Sequence, residues 1–185
     1  MTRTSFGMRM LRAARLQADT YEEVEADKSS IGQATGIVFM ACAAIGAARY
    51  FQSSGAGVPV NPLVLQVVLS ILEPLVLWIG GSALSFMVGA TFFRGPETET
   101  DFMEVLRTTG FAFTPALLRI FAILPPPALG LGIDLVARAW VFVAVVVAIR
   151  QALDFTTARA VGTFGVASLL LWLILWGLSV APVPF

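Results

Sequence analysis

The chain has 185 residues, 57% of them hydrophobic and 13% charged, and a mean hydropathy of +0.83; an ordinary soluble domain is excluded, since a core of this size could not hide so much apolar surface. Twelve basic and twelve acidic residues cancel to a net charge of zero, so only their distribution along the chain is informative. With no histidine and Cys42 as the only thiol, an intramolecular disulfide, His-containing zinc, haem or copper sites and a histidine general base are ruled out. No cofactor, no metal and no nucleic acid is expected, and the chain does not read as an enzyme.

Residues 1–30 form a lead-in too polar to span a bilayer and without the layout of a cleavable signal. On a helical wheel Phe6, Met10, Ala13 and Ala14 share one side, and Arg9, Arg12 and Arg15 the other. A helix of this kind can lie on an anionic leaflet, each Arg near the surface contributing about 1 kcal/mol. Phe6, Arg9, Met10, Arg12 and Arg15 are therefore candidate membrane-surface or partner contacts, the alternative being a solvated lead-in that only orients the first span. Thr20-Tyr21-Glu22-Glu23 reads as a capping box opening a short acidic helix through Asp27.

Five apolar runs follow within 31–185, at about 31–51, 63–93, 102–125, 127–149 and 158–181. Each can cross a hydrocarbon layer of about 30 Å at about 1.5 Å per residue. The expected fold is all-α, a polytopic bundle of five transmembrane helices preceded by a short cytoplasmic amphipathic helix. In the first run Ala43 and Ala47, and Cys42 and Gly46, are pairs of small residues at the spacing that lets helices approach closely; Cys42 reads as a packing residue. Residues 52–62, uncharged and carrying Gly55, Gly57, Pro59 and Pro62, read as a turn.

The second run would measure about 46 Å as a helix, longer than the hydrocarbon layer. Pro74, Gly80 and Gly81 predict a broken helix there, or else a kink filled by a neighbouring helix. A Gly95-Pro96 turn leads to the third run, with Asp101 or Thr100 as its cap and Glu104 in its first turn; Pro115 lies in its middle and Pro125-Pro126-Pro127 ends it. Between the fourth and fifth runs Arg150, Asp154 and Arg159 mark a tight cytoplasmic turn, in which Asp154 or Thr156 can cap the last helix. Trp172 and Trp176 suggest an aromatic anchor toward the far interface, before a proline-bounded tail.

A cytoplasmic N-terminus places Arg3, Arg9, Arg12, Arg15, Lys28, Arg94, Arg107, Arg150 and Arg159 inside and only Arg49 outside, with the C-terminus on the far side. Four ionisable residues then fall within the spans, where an unpaired charge costs several kcal/mol. Counted from the outer face, Glu73 and Arg138 both lie about 15 Å deep, and Arg119 and Asp134 about 9 Å deep. The expected pairs are Glu73 with Arg138 and Arg119 with Asp134, with Asp134 and Arg138 four apart on one helical face.

Several segments in order resemble the Yip family, five-span membrane proteins named for interaction with Ypt/Rab GTPases, and especially its bacterial branch. They are Arg12-Ala13-Ala14-Arg15-Leu16 with Tyr21-Glu22-Glu23-Val24-Glu25-Ala26-Asp27, Gly95-Pro96-Glu97-Thr98, Leu106-Arg107-Thr108-Thr109-Gly110-Phe111-Ala112 with Pro115, and Arg150-Gln151-Ala152-Leu153-Asp154-Phe155-Thr156-Thr157-Ala158-Arg159-Ala160. The resemblance covers most of the chain and implies the bacterial inner membrane, a periplasmic C-terminus and a docking edge at the Arg150 to Ala160 turn. The cytoplasmic part is much shorter than in eukaryotic relatives, so Rab binding is not implied.

The leading expectation is a non-enzymatic integral membrane protein that organises, scaffolds or assists a partner complex. Its partners would be the lipid bilayer and a protein partner or second copy within the membrane. The alternative is a small transporter or channel using a broken second span and the Glu73, Arg119, Asp134 and Arg138 cluster. Ser70, Ser82, Ser85 and Glu73 form no recognisable constellation for an enzyme acting on lipid.

Overall fold

The computed structural model describes residues 5–55, 59–93 and 101–180. The Gly95-Pro96 turn, the Thr100 cap, Arg3, Arg94 and the tail after 180 lie outside them. Among the described residues every regular element is helical: α1 Phe6–Ala14, α2 Ala18–Ala26, a 3-10 turn Lys28–Ser30, α3 Ile31–Gly55, α4 Val60–Phe92, α5 Phe102–Ala112, a 3-10 segment Thr114–Ile123, α6 Pro127–Ala152 and α7 Thr157–Val180. Four helical stretches among the described residues are long and apolar enough to cross a membrane, Lys28–Ser53, Pro62–Phe92, Ala128–Ala152 and Thr157–Ser179.

The third apolar run is not among these four, because it is built of two helical pieces. α5 opens on the expected capping box: Asp101 Oδ1 accepts the Glu104 N–H at 2.9 Å, and Glu104 Oε2 accepts the Asp101 N–H at 2.9 Å. It stops at Ala112 because Pro115 has no N–H for the carbonyl of Phe111 and its ring crowds that carbonyl. The Thr114 hydroxyl donates to the Phe111 oxygen instead, at 2.7 Å, and the chain tightens into the 3-10 segment.

The second run departs from expectation in the opposite sense. α4 continues without a break from Val60 to Phe92, with Pro74 inside it. One missing backbone N–H does not outweigh the packing of the turns on either side, and the weak points at Gly80 and Gly81 do not interrupt the helix. The turn before α4 is also shorter than 52–62, since α3 extends to Gly55 and α4 starts at Val60.

α3 is the central helix. Ala34, Ile37, Val38, Ala41, Cys42, Ile45 and Ala48 recur at intervals of three and four and are all buried, against α4, α5 and the 3-10 segment. Of the two small-residue pairs, Cys42 and Gly46 face a neighbour within the chain: a Cβ on Gly46 would stand 2.8 Å from Ile71 Cγ1. Ala43 is exposed.

The N-terminal region is two helices docked on the bundle rather than one free helix. α1 ends at a chain reversal with Leu16 at φ 61°, and α2 starts at Ala18, ahead of the capping box read at Thr20. Thr20 is inside α2 and fully buried. Ala13, Tyr21 and Val24 join Ile37, Phe111 and Ala148 in one hydrophobic core, and the Tyr21 hydroxyl donates to the Ala13 carbonyl at 3.1 Å.

These contacts define the two ends of the bundle. At one, Arg107, midway along α5, donates to the Glu25 carbonyl, and Gln151 Nε2 to Glu22 Oε1 at 2.6 Å. At the other, Gln52 of α3 donates to the Ala122 carbonyl at 3.0 Å, shortly before α6 begins. Residues 102–123 lead from the first of these contacts toward the second.

Candidate functional site

The structure brings Glu73 of α4, Arg119 of the 3-10 segment, and Asp134 and Arg138 of α6 into one cluster. Arg119 Nε donates to Asp134 Oδ1 at 2.6 Å, Arg138 Nε donates to Asp134 Oδ2 at 2.7 Å, and Arg138 Nη1 lies 3.6 Å from Glu73 Oε1. Asp134 thus has a guanidinium on each oxygen, one of them from the following turn of its own helix. The Glu73 contact is looser and less enclosed, with the Arg138 and Glu73 side chains 44% and 40% exposed, against 10% for Arg119. Opposite charges forced into an apolar layer pair because the isolated ion costs far more than the pair.

Two cavities meet at this cluster. One, of about 250 Å³, is lined by Glu73, Trp78, Arg119, Arg138, Phe142 and Phe164, and is mostly apolar. It also reaches Ser82 and Thr109, whose hydroxyls share a hydrogen bond of 2.7 Å. The other, of about 630 Å³, opens among Arg49, Gln52, Arg119, Leu124, Leu131 and Asp134. Arg119 and Ile45 line both. Glu73 and Ser85 hold no nucleophile and base pair, and no group of three or more carboxylates or thiols suited to a metal occurs among the described residues.

The N-terminal contacts are placed differently from the helical-wheel reading. Phe6 and Arg15 are exposed and Met10 is half-buried against the core, but Arg9 is 4% exposed and points inward. Its Nε donates to Glu23 Oε1 at 3.0 Å, and its Nη1 to Asp27 Oδ2 at 2.9 Å and Gln33 Oε1 at 3.2 Å. Arg12 is half-buried, with Nη1 3.4 Å from Glu23 Oε2. Two of the three Arg residues expected at a lipid surface are thus turned to the acids of α2 and the turn after it, because several acceptors there can satisfy a guanidinium removed from water. The outward face of α1 instead carries Met8 and Leu11, with Arg15 just beyond it, while Phe6 is exposed at the start of the helix.

These ion pairs shift the groups they join. The Ser29 hydroxyl and Arg9 hold Asp27 down to about 2, and despite burial the hydrogen bonds that Arg9 donates to Asp27 and Glu23 raise Arg9. Glu25 goes the other way, to about 7, through burial first and then the nearby charges of Asp154 and Glu104.

In the turn between α6 and α7, Asp154 takes a left-handed φ of 49° and is exposed, as is Arg159, while Arg150 Nε donates to its neighbour Gln151. The three residues singled out there do not meet one another; Gln151, through Glu22, ties the turn to α2. Sequence reasoning missed Arg107, which is 3% exposed and anchors the Glu25 carbonyl. A charge inside Leu106-Arg107-Thr108, five residues into a capped helix, was the available signal.

A family model described as Yip1 domain matches residues 15–179. No curated protein and no solved structure matches the chain.

Proposed function

Given that the chain belongs to the Yip family, its Yip1 domain covering residues 15–179, we propose that it is a non-enzymatic, multi-pass protein of the bacterial inner membrane that organises or assists a partner complex. In this reading it crosses the membrane five times, with the N-terminus inside and the C-terminus outside. Residues 102–123 support the fifth crossing: they lead from the Arg107 contact toward the Gln52 contact, and an 11-residue α-helix followed by a 10-residue 3-10 segment spans about 36 Å.

The observation that carries the organising role is the way α1 and α2 are fixed. Arg9 is buried among Glu23, Asp27 and Gln33, and Tyr21 and Val24 sit in the main core, so the cytoplasmic end is a rigid platform of α1, α2, the start of α5 and the α6–α7 turn. Phe6, Met8 and Leu11 stand exposed on it. A fixed surface with apolar residues on one face suits a docked partner, whose ordering cost is then small. Purification in mild detergent with mass determination tests this. A complex larger than one chain is expected, and a lone monomer at every detergent concentration would contradict it.

A second reading, a small transporter, is favoured by one observation: the two cavities share Arg119 and Ile45, so that only these side chains line both. It uses an unbroken second helix. Proton or ion flux in proteoliposomes that is abolished by Glu73→Gln would support it, and no flux in the parent protein would end it.

A further inference from the structure

We propose that the cavity between the end of α3 and the start of α6 is a binding site for the phosphate headgroup of a membrane phospholipid, held by Arg49 and Arg119. The cavity is basic: Arg49, Arg119 and Asp134 line it, and both oxygens of the one carboxylate are already taken by Arg119 and Arg138. Arg119 is 8% exposed and spends only Nε on Asp134; among the described residues neither of its Nη atoms makes a hydrogen bond, and Arg49 has no ion pair. Two guanidinium groups with free donors around a space of about 630 Å³ match a tetrahedral anion, which accepts such donors in pairs.

The rim identifies the anion as part of a lipid rather than a free phosphate. Phe51, Ile123, Leu124 and Leu131 line the same cavity and are 57%, 40%, 44% and 61% exposed, so the space opens sideways onto apolar surface where acyl chains would lie. Depth agrees with this. Arg49 stands four residues before the end of the apolar stretch at Ser53, about 6 Å along the helix, within reach of the headgroup layer for a long side chain. Gln52 closes the cavity wall by donating to the Ala122 carbonyl, leaving the guanidinium groups as the free donors.

The site is separate from the cytoplasmic platform, so it can fail while the partner reading survives, and the reverse. The test uses the full chain, delipidated in detergent, with phosphatidylglycerol bound and counted by native mass spectrometry. Diacylglycerol of the same chains and inorganic phosphate are the comparison arms. One tightly held phosphatidylglycerol is expected, about tenfold weaker in Arg49→Gln, recovered in Arg49→Lys and unchanged in Arg15→Gln at the other end. Diacylglycerol should bind poorly, and millimolar phosphate should not displace the lipid. Equal binding by Arg49→Gln would overturn the proposal. So would diacylglycerol binding as well as phosphatidylglycerol, which marks an apolar patch only, or full displacement by phosphate, which marks a free-anion site.

Discussion

Asp134 and Arg119 meet at 2.6 Å across the gap between α6 and the 3-10 segment, and the second oxygen of the same carboxylate holds Arg138 at 2.7 Å. One acid therefore bridges two cations from different elements, and Glu73 supplies the second negative charge. Asp134→Asn leaves Arg119 without its carboxylate and Arg138 with only the looser Glu73 contact, and is expected to cost about 3 kcal/mol. Glu73→Gln removes only the looser contact at 3.6 Å, between side chains that are 40% and 44% exposed, and should cost about 1 kcal/mol or less. Thermal unfolding in detergent checks the order; equal losses would show that Asp134 is not the hub.

Gly110 is where α5 presses on α3. A Cβ there would stand 2.7 Å from Ala34 Cβ and 3.3 Å from Ala34 Cα, so a backbone must move. Gly110→Ala is expected to destabilise by about 1–3 kcal/mol and to weaken the hydrogen bond of 2.9 Å from Trp78 to the Leu106 carbonyl. Unchanged stability together with an unchanged Trp fluorescence spectrum would contradict the close approach.

Arg9 is the latch of the N-terminal helices. Arg9→Ala leaves Asp27 with Ser29 alone and removes a buried guanidinium with three acceptors, a loss of about 3 kcal/mol local to α1 and α2. Trypsin should then cut faster at Arg12 and Arg15 while the four long apolar helices remain protected. Equal cleavage rates in parent and variant would mean that the region is not held by this network.

The platform should respond to pH in two opposite ways. Glu25, raised from 4.5 to about 7, keeps a proton in the folded chain that the unfolded chain releases, so its contribution is complete below about 4.5 and is lost as pH rises through 7. Asp27, lowered from 3.8 to about 2, contributes above 3.8 and loses that contribution as pH falls toward 2. Glu25→Gln is expected to flatten the change in melting temperature between pH 5 and 8, on the order of one pKa unit or more of linkage, and to leave the acid limb intact. A parent protein equally stable at pH 5.5 and pH 8 would contradict this assignment.

How far the sequence could be read depended on which force was in control. The partners of Glu73, Arg119, Asp134 and Arg138 were legible because charges in hydrocarbon must pair and helical rise converts sequence position into depth. The Asp101 and Glu104 cap was legible because it is local. Pro74 and Pro115 show the limit: each removes one N–H, yet α4 continues through the first and α5 ends before the second. The difference lies in the tertiary packing around them and in Thr114 serving the freed Phe111 carbonyl, which no count along the chain supplies. Arg9 was hidden for a related reason. A helical wheel places a charge outward, and its acceptors Glu23, Asp27 and Gln33 lie 14, 18 and 24 residues away.

The proposed organising role needs a partner docked on the fixed surface of α1 and α2, and in-cell photo-crosslinking from Leu11, exposed on α1, tests it most directly. A photoreactive residue there should give one discrete protein adduct, absent from a control placed at Leu173 on α7 and lost when Arg9→Ala releases the platform. Adducts to lipid alone from Leu11, or a protein adduct that persists undiminished in Arg9→Ala, would contradict the account.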